Sequence, residues 1–75
     1  MEVILPVFSA RLKQLRRERH VTQKAMAAFL EKTERHYQDI EAGKINVSAT
    51  TLIALSTYFG VSTDYLLGLR EERNP

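Results

Sequence analysis

The sequence predicts an all-α fold, a compact domain of five short helices, and three observations carry that expectation. Apolar residues recur at spacings of three and four along most of the chain, and strand-like alternation is nearly absent. A serine or threonine stands just before four of the apolar stretches, where a helix needs a cap. Gly43, Gly60 and Gly68 fall where helices have to stop. A chain of 75 residues makes one domain with a modest core.

Residues 1–7 form an apolar arm. Its "VILPV" exceeds what the first helix needs, so it either packs over the domain's own core or makes a dimer contact. It has no basic leader and no small-residue cleavage site, which argues against a signal peptide.

The first helix is expected over Val7 to Arg19, with Phe8, Leu12 and Leu15 as its core stripe. Pro6 is tolerated at or before the first turn. His20 stands where the chain must turn, and histidine is among the residues enriched at positive φ.

The second helix is expected from Thr22, its N-cap, to about Leu30. Val21 and Met26 flank the cap at the spacing of a hydrophobic staple. Ala25, Met26, Phe29 and Leu30 are assigned to the buried side. Ala27 and Ala28 are small enough for a neighbouring helix to approach closely.

Only "EKT" separates the second helix from the third, and so tight a connection forces a steep crossing, the helix-turn-helix unit. The third helix is expected from Thr33 to Glu41 or Ala42, with Gly43 as its stop. At about 100° per residue, Tyr37 and Ile40 point inward. Arg35, Gln38 and Asp39 then lie on the opposite side, with Glu34 at its edge.

A fourth helix follows Ser48, with Leu52, Leu55 and Phe59 inward and Gly60 as terminator. Val61 is placed to fold back after that glycine. Ser62 caps a short fifth helix, "TDYLL", with Asp64 in its first turn, and Gly68 ends it. Residues 8–68 thus make the folded domain. Residues 69–75, "LREERNP", read as a mobile tail. Leu66, Leu67 and Leu69 offer a second candidate dimer surface. Tyr58, Phe59 and Tyr65 read as core and boundary residues.

Composition narrows the function classes. The chain is 44% hydrophobic and 27% charged, as in a globular protein rather than a disordered one. It has no cysteine, so it holds neither a disulfide nor a cysteine-ligated metal. A cytoplasmic location is expected. No apolar run is long enough for a membrane span. Net charge is only +2, but Arg11 to Arg19 carries five cations against one acid, a balance of +4. Such a face is either an electrostatic footprint for nucleic acid or an ordinary solvated surface. Glu31 to Lys44 carries three cations against four acids, a balance of −1. His20 and His36 have no nucleophile at a motif spacing, so no enzyme is expected. Nor does the sequence call for a metal, a cofactor or a small-molecule ligand.

The pieces "FSARLKQLR", "VTQKAMAAFL", "IEAGK", "TLIALSTYFGVS" and "DYLLG" stand in order from about Phe8 to Gly68. Together they resemble the Cro and phage-repressor-like helix-turn-helix family, often called XRE. The resemblance implies a lambda-repressor-like domain that binds double-stranded DNA with its third helix in the major groove. It implies base contacts by Glu34, Arg35, Gln38 and Asp39. It also implies phosphate contacts by Thr22 and Gln23, at the start of the second helix, and by Lys44 and Asn46 in "GKINVS". Lys32 and His36 are further candidates for phosphate. Arg16 and Glu41 match a pair that bridges the first and third helices in some relatives. Many relatives carry "G-V-S" where this chain has Glu31, Lys32 and Thr33, so Glu31 is expected at a positive φ.

The base chemistry differs by residue. Arginine meets guanine O6 and N7, glutamine meets adenine N6 and N7, and a carboxylate accepts from cytosine N4. Asp39 is equally suited to an ion pair with Arg35 at i, i+4. The expected function is a sequence-specific transcriptional regulator, bound as a homodimer to a palindromic operator. No separate sensing domain is expected. The alternative is a protein-interaction module on the same scaffold, favoured by the −1 balance of Glu31 to Lys44.

Overall fold

Local devices set the helix boundaries. The computed structural model describes residues 6–74, and these form α1 (Pro6–Glu18), α2 (Gln23–Phe29), α3 (Glu34–Glu41), α4 (Ala49–Phe59) and α5 (Thr63–Leu67). Four N-termini carry a hydroxyl cap. Thr22 Oγ1 accepts from the Ala25 N–H at 3.0 Å, and Thr33 Oγ1 from the His36 N–H at 3.0 Å. Ser48 Oγ accepts from the Thr51 N–H at 3.1 Å, and Ser62 Oγ from the Tyr65 N–H at 3.0 Å. Each such cap contributes about 1 kcal/mol relative to alanine.

All five C-termini close in one way. A residue in the left-handed region donates to the carbonyl three back, and its successor donates to the carbonyl five back, with lengths of 2.9–3.3 Å. Those left-handed residues are His20, Glu31, Gly43, Gly60 and Gly68. His20 and Glu31 both have φ of 57°, as their positions in the sequence require.

Phe8, Leu12 and Leu15 of α1 form the centre of the core. Tyr37 and Ile40 of α3, Leu55 and Phe59 of α4, and Tyr65 and Leu66 of α5 close around them, with Val61 folded back beneath Gly60. α3 packs on both α2 and α1, while α5 packs on α1 and α4.

Three expectations need correction. In α2 the buried residues are Met26 and Ala27, not Ala25 and Phe29. Phe29 is 45% exposed and rests against Tyr58, with ring centroids 4.7 Å apart. Ala27 is buried in the core, whereas Ala28 is exposed. Leu66 is fully buried, so it cannot serve an outer surface with Leu67 and Leu69. Val3 to Leu5 of the arm lie outside the described residues.

The tail read as mobile makes contacts with the helices, chiefly through Arg73. Arg73 Nη1 and Nη2 donate to the two oxygens of Glu18 at 2.8 and 2.9 Å. The Arg73 carbonyl accepts from the Ser62 N–H at 2.7 Å. These bonds tie the last residues to α1 and to the start of α5.

Candidate nucleic-acid interface

Three of the five cations from Arg11 to Arg19 serve the fold. Arg11 donates to the carbonyls of Tyr65 and Arg70, and its guanidinium lies 4.2 Å from the Tyr65 ring centroid. Arg19 donates to the carbonyls of Tyr58 and Phe59, the unpaired end of α4, at 3.3 and 2.9 Å. Arg16 is turned inward. The cations of the +4 stretch that enter no ion pair or hydrogen bond among the described residues are Lys13 and Arg17. Both line an open groove along α1, opposite Ala42 and Gly43. The charge of this stretch is therefore chiefly a set of fastenings between helices.

α3 is fixed from beneath by a polar cluster. Arg16 Nε donates to Glu41 Oε2 at 2.7 Å and Arg16 Nη2 to Glu41 Oε1 at 2.9 Å, a bidentate pair. Arg16 Nη1 also donates to the Val21 carbonyl at 2.9 Å, which ties the α1–α2 turn to the same cluster. Gln23 Nε2 approaches Glu41 Oε1 at 3.4 Å. Burial pushes the Glu41 carboxyl up, but the Arg16 guanidinium outweighs it and holds the group below the ordinary carboxylate value. The hydrogen bond to Glu41 raises Arg16 in turn, against the opposing effect of burial. Tyr37 Oη is buried beside them with no hydrogen-bond partner among the described residues. Burial first, then the negative charge of Glu41, push that hydroxyl up.

Above this base, Tyr37, Ile40 and Glu41 are buried and the rest of α3 faces outward. Glu34, Arg35 and His36 are exposed, while Gln38 and Asp39 are half-buried. Arg35 Nε lies 3.4 Å from Asp39 Oδ1. Thr22 and Gln23 sit at the start of α2, with the Thr22 hydroxyl already engaged as the cap. Lys32 is half-buried in the α2–α3 turn, and Lys44 and Asn46 are exposed beyond Gly43. Sequence reasoning assigned Gln23 to phosphate and did not link it to Glu41. A side chain on α2 reaching a carboxylate on α3 leaves no trace in local spacing.

Of the four acids of Glu31 to Lys44, Glu41 is buried against Arg16 and Asp39 stands beside Arg35. Glu31 and Glu34 are exposed. The His, Asp and Glu side chains form no metal-holding cluster among the described residues. No helix is long and apolar enough to cross a membrane.

The profile of the helix-turn-helix family matches residues 12–66. Over 61 residues the chain is 43% identical to the SPbeta prophage-derived uncharacterized HTH-type transcriptional regulator YonR of Bacillus subtilis (strain 168). That match covers 81% of this chain and 56% of the relative, so the chain spans little more than half of its length. No solved structure matches the chain at a significant level.

Proposed function

We propose, from the premise that this chain belongs to the Cro and phage-repressor-like helix-turn-helix family, that it is a sequence-specific DNA-binding transcriptional regulator. α3 lies in the major groove and its outward residues meet base edges. The observation that carries this reading is the division of α3. Tyr37, Ile40 and Glu41 are consumed by the fold, and Glu34, Arg35 and Gln38 are left outward with hydrogen-bonding groups suited to bases. Arg35 takes guanine, Gln38 takes adenine, and Glu34 accepts from cytosine N4.

Contacts to phosphate flank the helix. Gln23, steadied by Glu41, stands at the start of α2, and Lys44 and Asn46 follow the end of α3. Thr22, Lys32 and His36 complete the set. These contacts fix register and supply affinity that falls with salt. A single module of this size makes few base contacts. The protein therefore works as a homodimer on a palindromic operator, with half-sites about 34–36 Å apart.

The placement of the acids of α3 weakens the case for an interaction module. One acid is buried in the scaffold and another is paired within the helix. Selection from a random duplex pool at moderate salt tests the reading. Enrichment of a palindrome is the expected result. If no sequence is enriched, the interaction module replaces the regulator.

A further inference from the structure

Arg35 and Asp39 are one helical turn apart and differ sharply in exposure. The Arg35 side chain is 79% exposed and the Asp39 side chain 27%. Asp39 is thus the sheltered member of an ion pair whose other side chain reaches into solvent. Their contact uses Nε of Arg35, 3.4 Å from Asp39 Oδ1. A guanidinium is planar and rigid, with five N–H donors in a fixed fork. A carboxylate held at Nε leaves the edge between the two terminal nitrogens open to another acceptor. That edge matches the O6 and N7 pair of guanine.

We infer that Asp39 is a positioning residue for base readout: it meets no base itself, and it orients Arg35 so that the terminal fork faces a guanine. The inference rests on the DNA-reading role of α3 proposed above. Its physical basis is twofold. A free arginine has many rotamers to lose when it grips a base, and a partner that restricts them beforehand lowers that cost. A lone carboxylate brought towards DNA is repelled by phosphate, whereas a carboxylate paired with a guanidinium adds no net charge to the approaching surface. Glu34 differs in kind. It is exposed and enters no ion pair among the described residues, which leaves its carboxylate open to a base.

The bland alternative is that the pair only stabilises the helix, as i, i+4 pairs do. That role changes melting temperature and leaves base preference alone, so preference is the deciding readout. The experiment measures affinity for the selected duplex and for its single base-pair variants, with thermal melting in parallel. Wild type, Arg35→Ala, Asp39→Ala, Asp39→Asn and the double variant Arg35→Ala/Asp39→Ala are compared. Arg35→Ala is expected to abolish guanine preference at one base pair, a loss of roughly tenfold or more. Asp39→Ala and Asp39→Asn are expected to lower preference at that same base pair about three- to tenfold. In the Arg35→Ala background, Asp39→Ala is expected to change nothing further there. Asp39→Asn keeps the size of the side chain, so a folding defect in Asp39→Ala does not remove the test.

Three results overturn the inference. A shift of preference at a different base pair makes Asp39 itself a reader. Unchanged preference with a lowered melting temperature makes the pair a helix brace. A guanine preference that survives Arg35→Ala removes the role of the fork. Absence of any enriched sequence for wild type is distinct from these, because it takes away the DNA-reading role together with everything built on it.

Discussion

Arg16 and Glu41 join the first and third helices through two parallel hydrogen bonds of 2.7 and 2.9 Å, with the carboxylate only 1% exposed. Breaking such a pair by removing one partner leaves a buried charge without its counterion, which costs about 3–5 kcal/mol. Glu41→Ala and Arg16→Ala are each expected to lose an amount of this order in urea unfolding. The double variant is expected to lose less than the sum of the two. Strict additivity across this cycle would mean that the pair contributes no coupling.

The same carboxylate sets the direction of the acid response. Its folded pKa lies below the ordinary value of 4.5, so the unfolded chain binds its proton more readily. The stability it contributes is complete above that value and is lost as pH falls through the folded pKa. Below about pH 4.5, Glu41→Gln is expected to flatten the dependence of the urea midpoint on pH. Part of the slope stays, because Glu18, held down by Arg73, titrates in the same direction.

Base and phosphate contacts separate by their response to sequence and salt. Gln23→Ala is expected to weaken binding to all duplexes alike. Lys44→Ala is expected to do the same and to reduce the slope of log affinity against log salt by about 1. Gln38→Ala is expected to relax preference at a single adenine, a change worth about 1–3 kcal/mol. Titrations at several salt concentrations against selected and scrambled duplexes distinguish the two classes. The reverse pattern would show that the contact face is misassigned.

Two glycines with similar backbones have unlike surroundings. A Cβ at Gly60 meets nothing within 4 Å, whereas one at Gly68 meets Val7 Cγ1 at 2.8 Å. Both sit at positive φ. Gly60→Ala is expected to cost about 1–2 kcal/mol for the left-handed backbone alone. Gly68→Ala is expected to cost about 1–3 kcal/mol more, because the Val7 side chain has to give way. Equal losses in thermal unfolding would show that the contact yields freely.

His20 and Glu31 hold the left-handed position without being glycine. Replacing Glu31 with glycine relieves that strain at some cost in unfolded-chain entropy. The net gain expected is about 0.5–1 kcal/mol. In a domain this small, each 1 kcal/mol raises the melting temperature by about 4–8 °C. A calorimetric scan of Glu31→Gly that shows no rise would locate the cost elsewhere in the turn.

The sequence announces features that depend on near neighbours. Thr22, Thr33, Ser48 and Ser62 are legible as caps because each acts on an amide three residues on. The turns at His20 and Glu31 are legible because a helix has to reverse there. The phase of α2 is harder to read, since seven residues make only two turns and Phe29 looks apolar enough to be core. Its ring instead finds Tyr58 at the domain's edge. Thr51 is buried on the inward face of α4, where the hydroxyl of Ser48 donates to it. It lies four residues before Leu55, so helical phase contained the signal, and only its polarity disguised it. Of the candidate interface, the outward side of α3 follows from helical phase. The link from Gln23 to Glu41 and the fastening of Arg73 to Glu18 join residues 18 and 55 apart in the chain. Such distances lie beyond any local pattern.

The Ser62 N–H is bonded to the Arg73 carbonyl, outside any helix. An amide that heads a helix in this way has no partner within the helix itself. Its exchange with deuterated solvent is therefore governed by release of the tail and not by opening of the core. One backbone proton thus reports detachment of the last residues while the five helices stay intact.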